Sequence, residues 1–324
     1  MDHLSSNQSI PSPPPWEELK LEAPAAIALG LFDGVHLGHQ EILRRTCQSA
    51  ERLQLVPAVF TFSNHPRVVL NSTHSQPPLF LIPLERRIRL LKACGIREIL
   101  APPFSQEWAS TRSEAFAHDF LSGHLGVRHV VVGFNYCFGR RAEGRVQHLQ
   151  DFGRRFGFTV EVVPPYLVED EEVSSTRTRK ALLDGNISLA ARLLGRPPEI
   201  SGEIVQGDQR GRLLGFPTAN IRPVLPPLVP EGVYAVQAWD DSSEEPEALG
   251  PGLLFFGTRK TFFENEEPVL EAHLLDFQGD LYGMRVRLEL LGKIRDPRKF
   301  ENAEALIRQI EQDRADAQAF FSKA

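Results

Sequence analysis

The strongest constraint on the fold is a change of period along the chain. Between Ala25 and about Phe158, short apolar runs alternate with stretches whose apolar residues recur at helical spacing. The runs are Ala25–Leu31, Val56–Phe62, Arg97–Leu100, His129–Gly133 and Thr159–Val163. The helical stretches include Ile42, Leu43, Cys47, Ala50 and Leu53, and later Ile88, Leu91 and Ala93. Such alternation implies a parallel sheet covered by helices on both faces. Helix-rich sequence follows from Ser174 to Leu194, with Ser174 or Ser175 as the N-cap. Residues 200–294 then contain no long helical pattern. They offer strands at Glu203–Gln206, Gly232–Trp239, Leu253–Gly257, Val269–Phe277 and Arg285–Leu291, separated by Gly, Pro and Asp turns. An antiparallel barrel or sandwich is expected there. A last helix places Ala303, Leu306, Ile307, Ile310, Arg314, Ala317 and Phe321 on one face. The chain is therefore read as two domains, 1–186 and 187–324, the first opening on a loose Pro-rich leader.

Composition narrows the class. The net charge of −6 over 324 residues gives no basic footprint for nucleic acid and no polybasic membrane surface. No apolar run reaches the length of a membrane helix, and the N-terminus shows no secretory pattern. Cys47, Cys94 and Cys137 are odd in number and far apart, which suits neither a disulfide framework nor a zinc set. A reduced, cytoplasmic protein is expected; self-association stays open.

The first chemical constellation runs from Gly30 through Phe32, Asp33, Gly34, His36 and Gly38 to His39, between the first strand and the first helix. Glycines there let the backbone approach a ligand, and helix N–H groups attract anions. Two imidazoles three residues apart can donate to a phosphoryl group in transfer. Zinc ligation by the same pair lacks a Cys or carboxylate companion at suitable spacing. The pattern G-x-F-D-G-x-H-x-G-H resembles the signature of the nucleotidyltransferase superfamily, in particular the adenylyltransferase module of bacterial FAD synthetases. Three later stretches resemble that module as well. They are Phe60-Thr61-Phe62 with Asn64-His65-Pro66, Val131 to Gly139 with Asn135 and Phe138, and Ser174-Ser175-Thr176-Arg177-Thr178-Arg179. Read alone, the last is a capped helix start carrying cations, itself a suitable phosphate site. The resemblance covers nearly all of residues 25–195. It implies a Rossmann-like domain in which His36 and His39 serve the ATP triphosphate. Gly30, Phe32, Asp33, Gly34, Gly38, Ser174, Ser175, Thr176 and Arg179 would then bind ATP and its phosphates, and Asn64, Asn135 and Phe138 the flavin.

The second constellation is Gly202 to Asn220, with glycines at 207, 211 and 215 and the ending Pro217-Thr218-Ala219-Asn220. Thr218 and Asn220 are alternate residues of an extended segment and point the same way. Their side-chain oxygens are hard ligands of the kind Mg2+ accepts beside ATP phosphates. The string resembles the riboflavin kinase signature almost residue for residue, and further likeness runs from residue 200 to 321. The resemblance implies a small antiparallel β-barrel with a C-terminal helix, in which Gly207, Gly211 and Gly215 bind ATP. It implies Glu271 as the catalytic carboxylate, and Mg2+ held at Thr218 and Asn220. One departure stands out. Where the family pattern reads N-I-G-T-R-P-T-F, this chain has Phe255 for the Asn and Lys260 for the Pro. Losing a polar side chain and a rigid turn points to an altered substrate lid. Together the resemblances imply ATP-dependent phosphorylation of riboflavin to FMN and adenylylation of FMN to FAD. Two other readings use the same residues: a nucleotidyltransferase for another phosphorylated substrate, and a flavin-binding regulator with a degenerate kinase half.

Overall fold

The computed structural model describes residues 14–70, 79–206, 216–258, 268–275 and 277–321. The chain divides into two compact units. One comprises Met1–Leu31, Glu41–Pro78 and Leu91–Pro165, the other Phe32–Gln40, Leu79–Leu90 and Tyr166–Ala324.

The first unit is built on five parallel strands. They are β1 (Ala25–Leu29), β2 (Val56–Phe60), β3 (Glu98–Leu100), β4 (His129–Gly133) and β7 (Thr159–Val163). A small hairpin, β5 (Cys137–Phe138) with β6 (Gly144–Arg145), interrupts their succession. The sheet order is β3-β2-β1-β4-β7. Strand β1 is buried along its whole length, as expected of a central parallel strand covered on both faces. The order reverses between β1 and β4, and α/β sheets bind ligands beyond the carboxyl ends of strands at such a switch point. Gly30 and the Gly133–Asn135 turn lie at that position. One face of the sheet carries an aromatic core of Trp16, Phe60, Trp108, Phe116, Phe120 and Phe138. The helix Leu37–Leu53 sends Arg45 and Ser49 to the Glu161 carboxylate, at 3.2 and 3.1 Å.

The second unit holds a small hairpin, β8 (Leu167–Val168) with β9 (Glu171–Glu172), and the helices Ser175–Leu183 and Ile187–Leu194. Ser174 is the N-cap of the first helix, its hydroxyl accepting from Arg177 N. Beyond them lies a closed six-stranded antiparallel barrel, so the barrel and not the sandwich is formed. Its strands are β10 (Glu199–Val205), β11 (Ala219–Pro223), β12 (Gly232–Asp240), β13 (Glu247–Gly257), β14 (Val269–Leu274) and β15 (Arg285–Arg295). They pair in the order β10-β11-β14-β13-β12-β15, and β15 returns to β10. Strict alternation on β10 and β14 sends Ile200, Ile204, Leu270, Ala272 and Leu274 into the interior with Tyr234, Leu254 and Leu288. The terminal helix, Ala303–Phe321, covers part of the outer face through Ala317, Phe320 and Phe321. Ala303, expected on its apolar face, is exposed. The anchor that periodicity does not reveal is buried Asp313, which takes two hydrogen bonds of 2.8 Å from Arg295. Gly292 leaves the room that Phe320 fills; a methyl group there would overlap its ring.

The helix Leu84–Ala93 contributes two forked ion pairs to the same unit. Arg86 grips Glu199 at 2.8 and 3.0 Å, and Arg89 grips Asp241 at 2.8 Å twice. No helix among the described residues is long and apolar enough to cross a membrane.

Candidate functional site

The Phe32–His39 segment is a strained turn that ends in a helix start. Phe32 (φ 52°), Gly34 (φ 78°) and Val35 (φ 43°) all lie in the left-handed region. For a β-branched valine that conformation is costly, and such strain collects at functional sites. Gly34 is required twice over, by its φ and because a Cβ would lie 2.6 Å from Leu81 Cδ1. The turn brings His36 and His39 face to face, their ring centroids 3.6 Å apart at 16°. Phe32 meets the His39 ring edge-on at 5.2 Å. His39 N donates to His36 Nδ1 at 3.3 Å, which assigns the His36 proton to Nε2. Burial lowers the His36 pKa to about 4, and burial, with His36 and Arg87 nearby, holds His39 well below its ordinary value. Two stacked imidazoles that stay neutral can donate N–H to an anion without repelling each other. His39 Nδ1 is buried with no hydrogen-bond partner among the described residues, as in a site shaped for a ligand.

Asp33 does not face outward. Its carboxylate accepts from Leu81 N at 2.7 Å and from Arg179 Nη2 at 2.6 Å. Burial pushes its pKa up, against the pull of the Leu81 amide and Arg179. Ser175 Oγ donates to the Asp33 carbonyl at 2.9 Å. Thus the glycine-rich turn and the Ser174–Arg179 helix start, far apart in sequence, form one site. Thr176 is exposed on that first turn, where unpaired helix N–H groups attract phosphate. A Cβ at Gly38 would lie 3.3 Å from the His36 ring. Sequence reasoning missed Arg87, which is 1% exposed. Its guanidinium lies 4.7 Å from the Phe80 ring centroid, and burial lowers its pKa to about 10.

In the first unit, Gly30 N bonds Phe60 O, and Thr61 Oγ1 donates to Leu31 O at 3.0 Å. Asn64 is committed: its amide donates to Phe104 O and accepts from Phe104 N, at 3.1 and 2.6 Å. It fixes a loop, and its second amide hydrogen and second oxygen lone pair stay available to a ligand. Phe138 is buried beside Phe116 and stacked on Tyr136 at 5.7 Å. Phe134, Asn135 and Cys137 are the exposed members of that loop.

On the barrel, Asn220 of β11 stands directly opposite Glu271 of β14, which in turn stands opposite Phe255 of β13. Their neighbours Ile221, Leu254, Leu270 and Ala272 point inward, so the three side chains share the outer face, with the Cβ atoms of each adjacent pair roughly 5 Å apart. Thr218 has the same parity as Asn220. The Pro217–Asn220 segment is held by His273, whose Nδ1 meets Pro217 O at 2.9 Å while its ring packs on Phe216. Phe255 joins the apolar cluster under the terminal helix. The hydroxyl and amide oxygens of Thr218 and Asn220 suit a hard cation that keeps some waters and is held largely by substrate phosphates. Gly207, Gly211, Gly215 and Lys260 lie outside the described residues.

Both halves match known families. Residues 19–177 match FAD synthetase and residues 194–321 match riboflavin kinase. A bifunctional riboflavin kinase/FMN adenylyltransferase from Listeria monocytogenes is 36% identical over 300 residues, covering 92% of either chain. The Bacillus subtilis relative of the same description is 36% identical over 308 residues, 93% of this chain and 94% of its own. The chain belongs to the bifunctional riboflavin kinase/FMN adenylyltransferase family. Its Escherichia coli K12 member is 36% identical over 296 residues, 91% of this chain and 92% of its own. A solved structure described as a macrolide-efflux protein from Streptococcus pneumoniae superposes with a TM-score of 0.81 at 32% identity. It covers 92% of this chain and 95% of its own. Within the family frame, the histidine pair falls inside the FAD synthetase match, and the Asn220–Glu271 pair inside the riboflavin kinase match.

Proposed function

We propose that this chain converts riboflavin to FAD in two ATP-dependent steps at two separate sites, with the adenylylating residues within 1–186 and the kinase residues within 187–324. The observation that carries this reading is that each family match contains its own polar set: a neutral stacked histidine pair on a strained turn in one, a carboxylate in register with an amide in the other.

In the kinase step, Glu271 accepts the proton of the terminal ribityl hydroxyl as that oxygen bonds to the γ-phosphorus of ATP. The bond from the γ-phosphorus to the bridging oxygen breaks, and ADP leaves with the electron pair. Thr218 and Asn220 orient the phosphates. A Mg2+ ion held by these residues and the phosphates would supply charge neutralisation there. In the second step a phosphate oxygen of FMN attacks the α-phosphorus of another ATP, and pyrophosphate leaves. The nucleophile is already anionic, so positioning and charge stabilisation suffice. His36, through Nε2–H, and His39 donate to phosphate oxygens as charge shifts toward the leaving group. The helix start at Ser175 and Thr176 adds backbone donors. Arg179 acts partly through Asp33, which it holds in place. Asn135 contacts the flavin, while Asn64 shapes the neighbouring loop.

The test is direct. Purified protein is given riboflavin, ATP and Mg2+, and the flavins are separated by chromatography. FMN is expected first and FAD afterwards. Absence of both products, or of FAD alone when FMN is supplied, overturns the assignment of the corresponding site.

A further inference from the structure

The His36 turn is held from an unexpected quarter. Arg196 donates through Nη2 to Gly34 O at 2.8 Å and through Nη1 to Val35 O at 3.3 Å. Gln40 Nε2 reaches both Val35 O and Leu194 O at 2.9 Å, tying the second of these carbonyls to the segment that carries Arg196. Between the two contacts lies Gly195, the left-handed end (φ 71°) of the helix Ile187–Leu194. A Cβ there would lie 2.6 Å from Leu37 Cδ2, so only glycine lets the segment lie flat on the start of the histidine helix. Leu194 itself sits 3.5 Å from the Cβ position of Gly34. Leu194, Gly195 and Arg196 fall within the riboflavin kinase match, yet they touch the residues that carry the adenylylating histidines.

We propose that Arg196 is a positioning residue for adenylyl transfer. Its planar fork fastens two successive carbonyls of a turn held in unfavourable φ, and so sets where the His36 and His39 rings lie. Strain of this kind persists only where the surroundings hold it, and a bidentate guanidinium restrains both carbonyls at once. Lysine keeps the charge and has donors for both, but on a flexible stem without the planar fork it holds them less rigidly. The proposal rests on the reading of the histidine pair as adenylylating, and its test separates the two.

Full-length Arg196→Ala and Arg196→Lys are assayed for FMN adenylylation and riboflavin phosphorylation, and the imidazole resonances of His36 are recorded without nucleotide. The alanine variant is expected to lose about 10- to 100-fold in kcat for adenylylation, the scale of an ångström-sized misplacement, with KM little changed. Phosphorylation stays at the parent rate, the His36 resonances shift, and lysine restores part of the loss. Added guanidinium ion restores part of the activity of the alanine variant. A folded alanine variant with parent kcat, or equal loss of both activities, overturns the proposal. If alanine prevents folding, parent kcat in the lysine variant overturns it instead. Should the parent lack adenylylation, the functional reading fails, and unshifted His36 resonances then decide against the positioning role on their own.

Discussion

Acid should loosen the turn that carries His36 and His39 before it touches most of the molecule. Burial keeps the His36 imidazole at about 4, whereas an unfolded histidine titrates near 6.5. As pH falls through 6.5 the unfolded chain takes up this proton first. It then binds more protons than the folded chain, and stability falls as pH falls. The loss begins near pH 6.5 and saturates near pH 4. The gap corresponds to roughly 3 kcal/mol at saturation, of which about 2 kcal/mol is lost between pH 7.5 and pH 5. His39 is displaced in the same direction and adds to it. The perturbation that isolates the effect is His36→Asn, which keeps a short polar side chain and cannot take the proton. Urea unfolding of parent and variant is measured between pH 7.5 and 5. The stability difference between them should change by about 2 kcal/mol over that range, in favour of the variant at low pH. Parallel loss of stability in both proteins would refute the reasoning, as would an adenylylation rate that breaks near pH 6.5.

Other expectations follow from named contacts. Arg86→Ala removes both hydrogen bonds to the Glu199 carboxylate, whose side chain is 1% exposed, leaves it only Arg287 at 3.8 Å among the described residues, and should cost about 3 kcal/mol in urea unfolding. An unchanged midpoint would mean that water replaces the guanidinium. Asp313→Ala removes the partner of Arg295 and should release the terminal helix, seen as faster amide exchange over 303–321. Phe255→Asn takes a ring out of the cluster beneath that helix and places an amide next to Glu271. It should change the apparent riboflavin affinity of the kinase more than its kcat, and leave adenylylation of FMN alone. A large kcat effect with constant affinity would put Phe255 in the chemistry.

The parallel sheet was legible because its strands are short, apolar and separated by helical patterns. His129–Gly133 and Thr159–Val163 are found with the expected ends. The barrel was legible in kind but not in extent. Strand β13 begins at Glu247, six residues before the expected start at Leu253, because Gly250, Pro251 and Gly252 read as a turn. They fall beside the register irregularity between Ala238 and Trp239, where a closed barrel tolerates them. Strand β11 escaped notice because its five residues include Asn220, Arg222 and Pro223, and only pairing to β10 and β14 defines it. At the site, the strand-to-helix turn that carries His36 and His39 was legible from the glycine spacing, while Glu271 was proposed from resemblance alone. What surrounds them was not. Leu81 N reaches Asp33 across 48 residues and Arg196 reaches Gly34 across 162, contacts that no local pattern encodes. Asn64 and Phe138 show the converse, since motif position did not reveal that Asn64 clamps a loop and that Phe138 packs in the aromatic core.

The central claim is that one chain houses two independent chemistries. It is tested most directly by crossing His39→Ala and Glu271→Gln against the two reactions, assayed separately. The histidine variant should phosphorylate riboflavin at the parent rate and accumulate FMN, with adenylylation reduced by roughly 10²-fold or more. The glutamine variant should adenylylate added FMN normally, with phosphorylation of riboflavin reduced by about 10²–10⁴-fold. Loss of both reactions in either folded variant, or parent-rate phosphorylation by Glu271→Gln, would contradict the account.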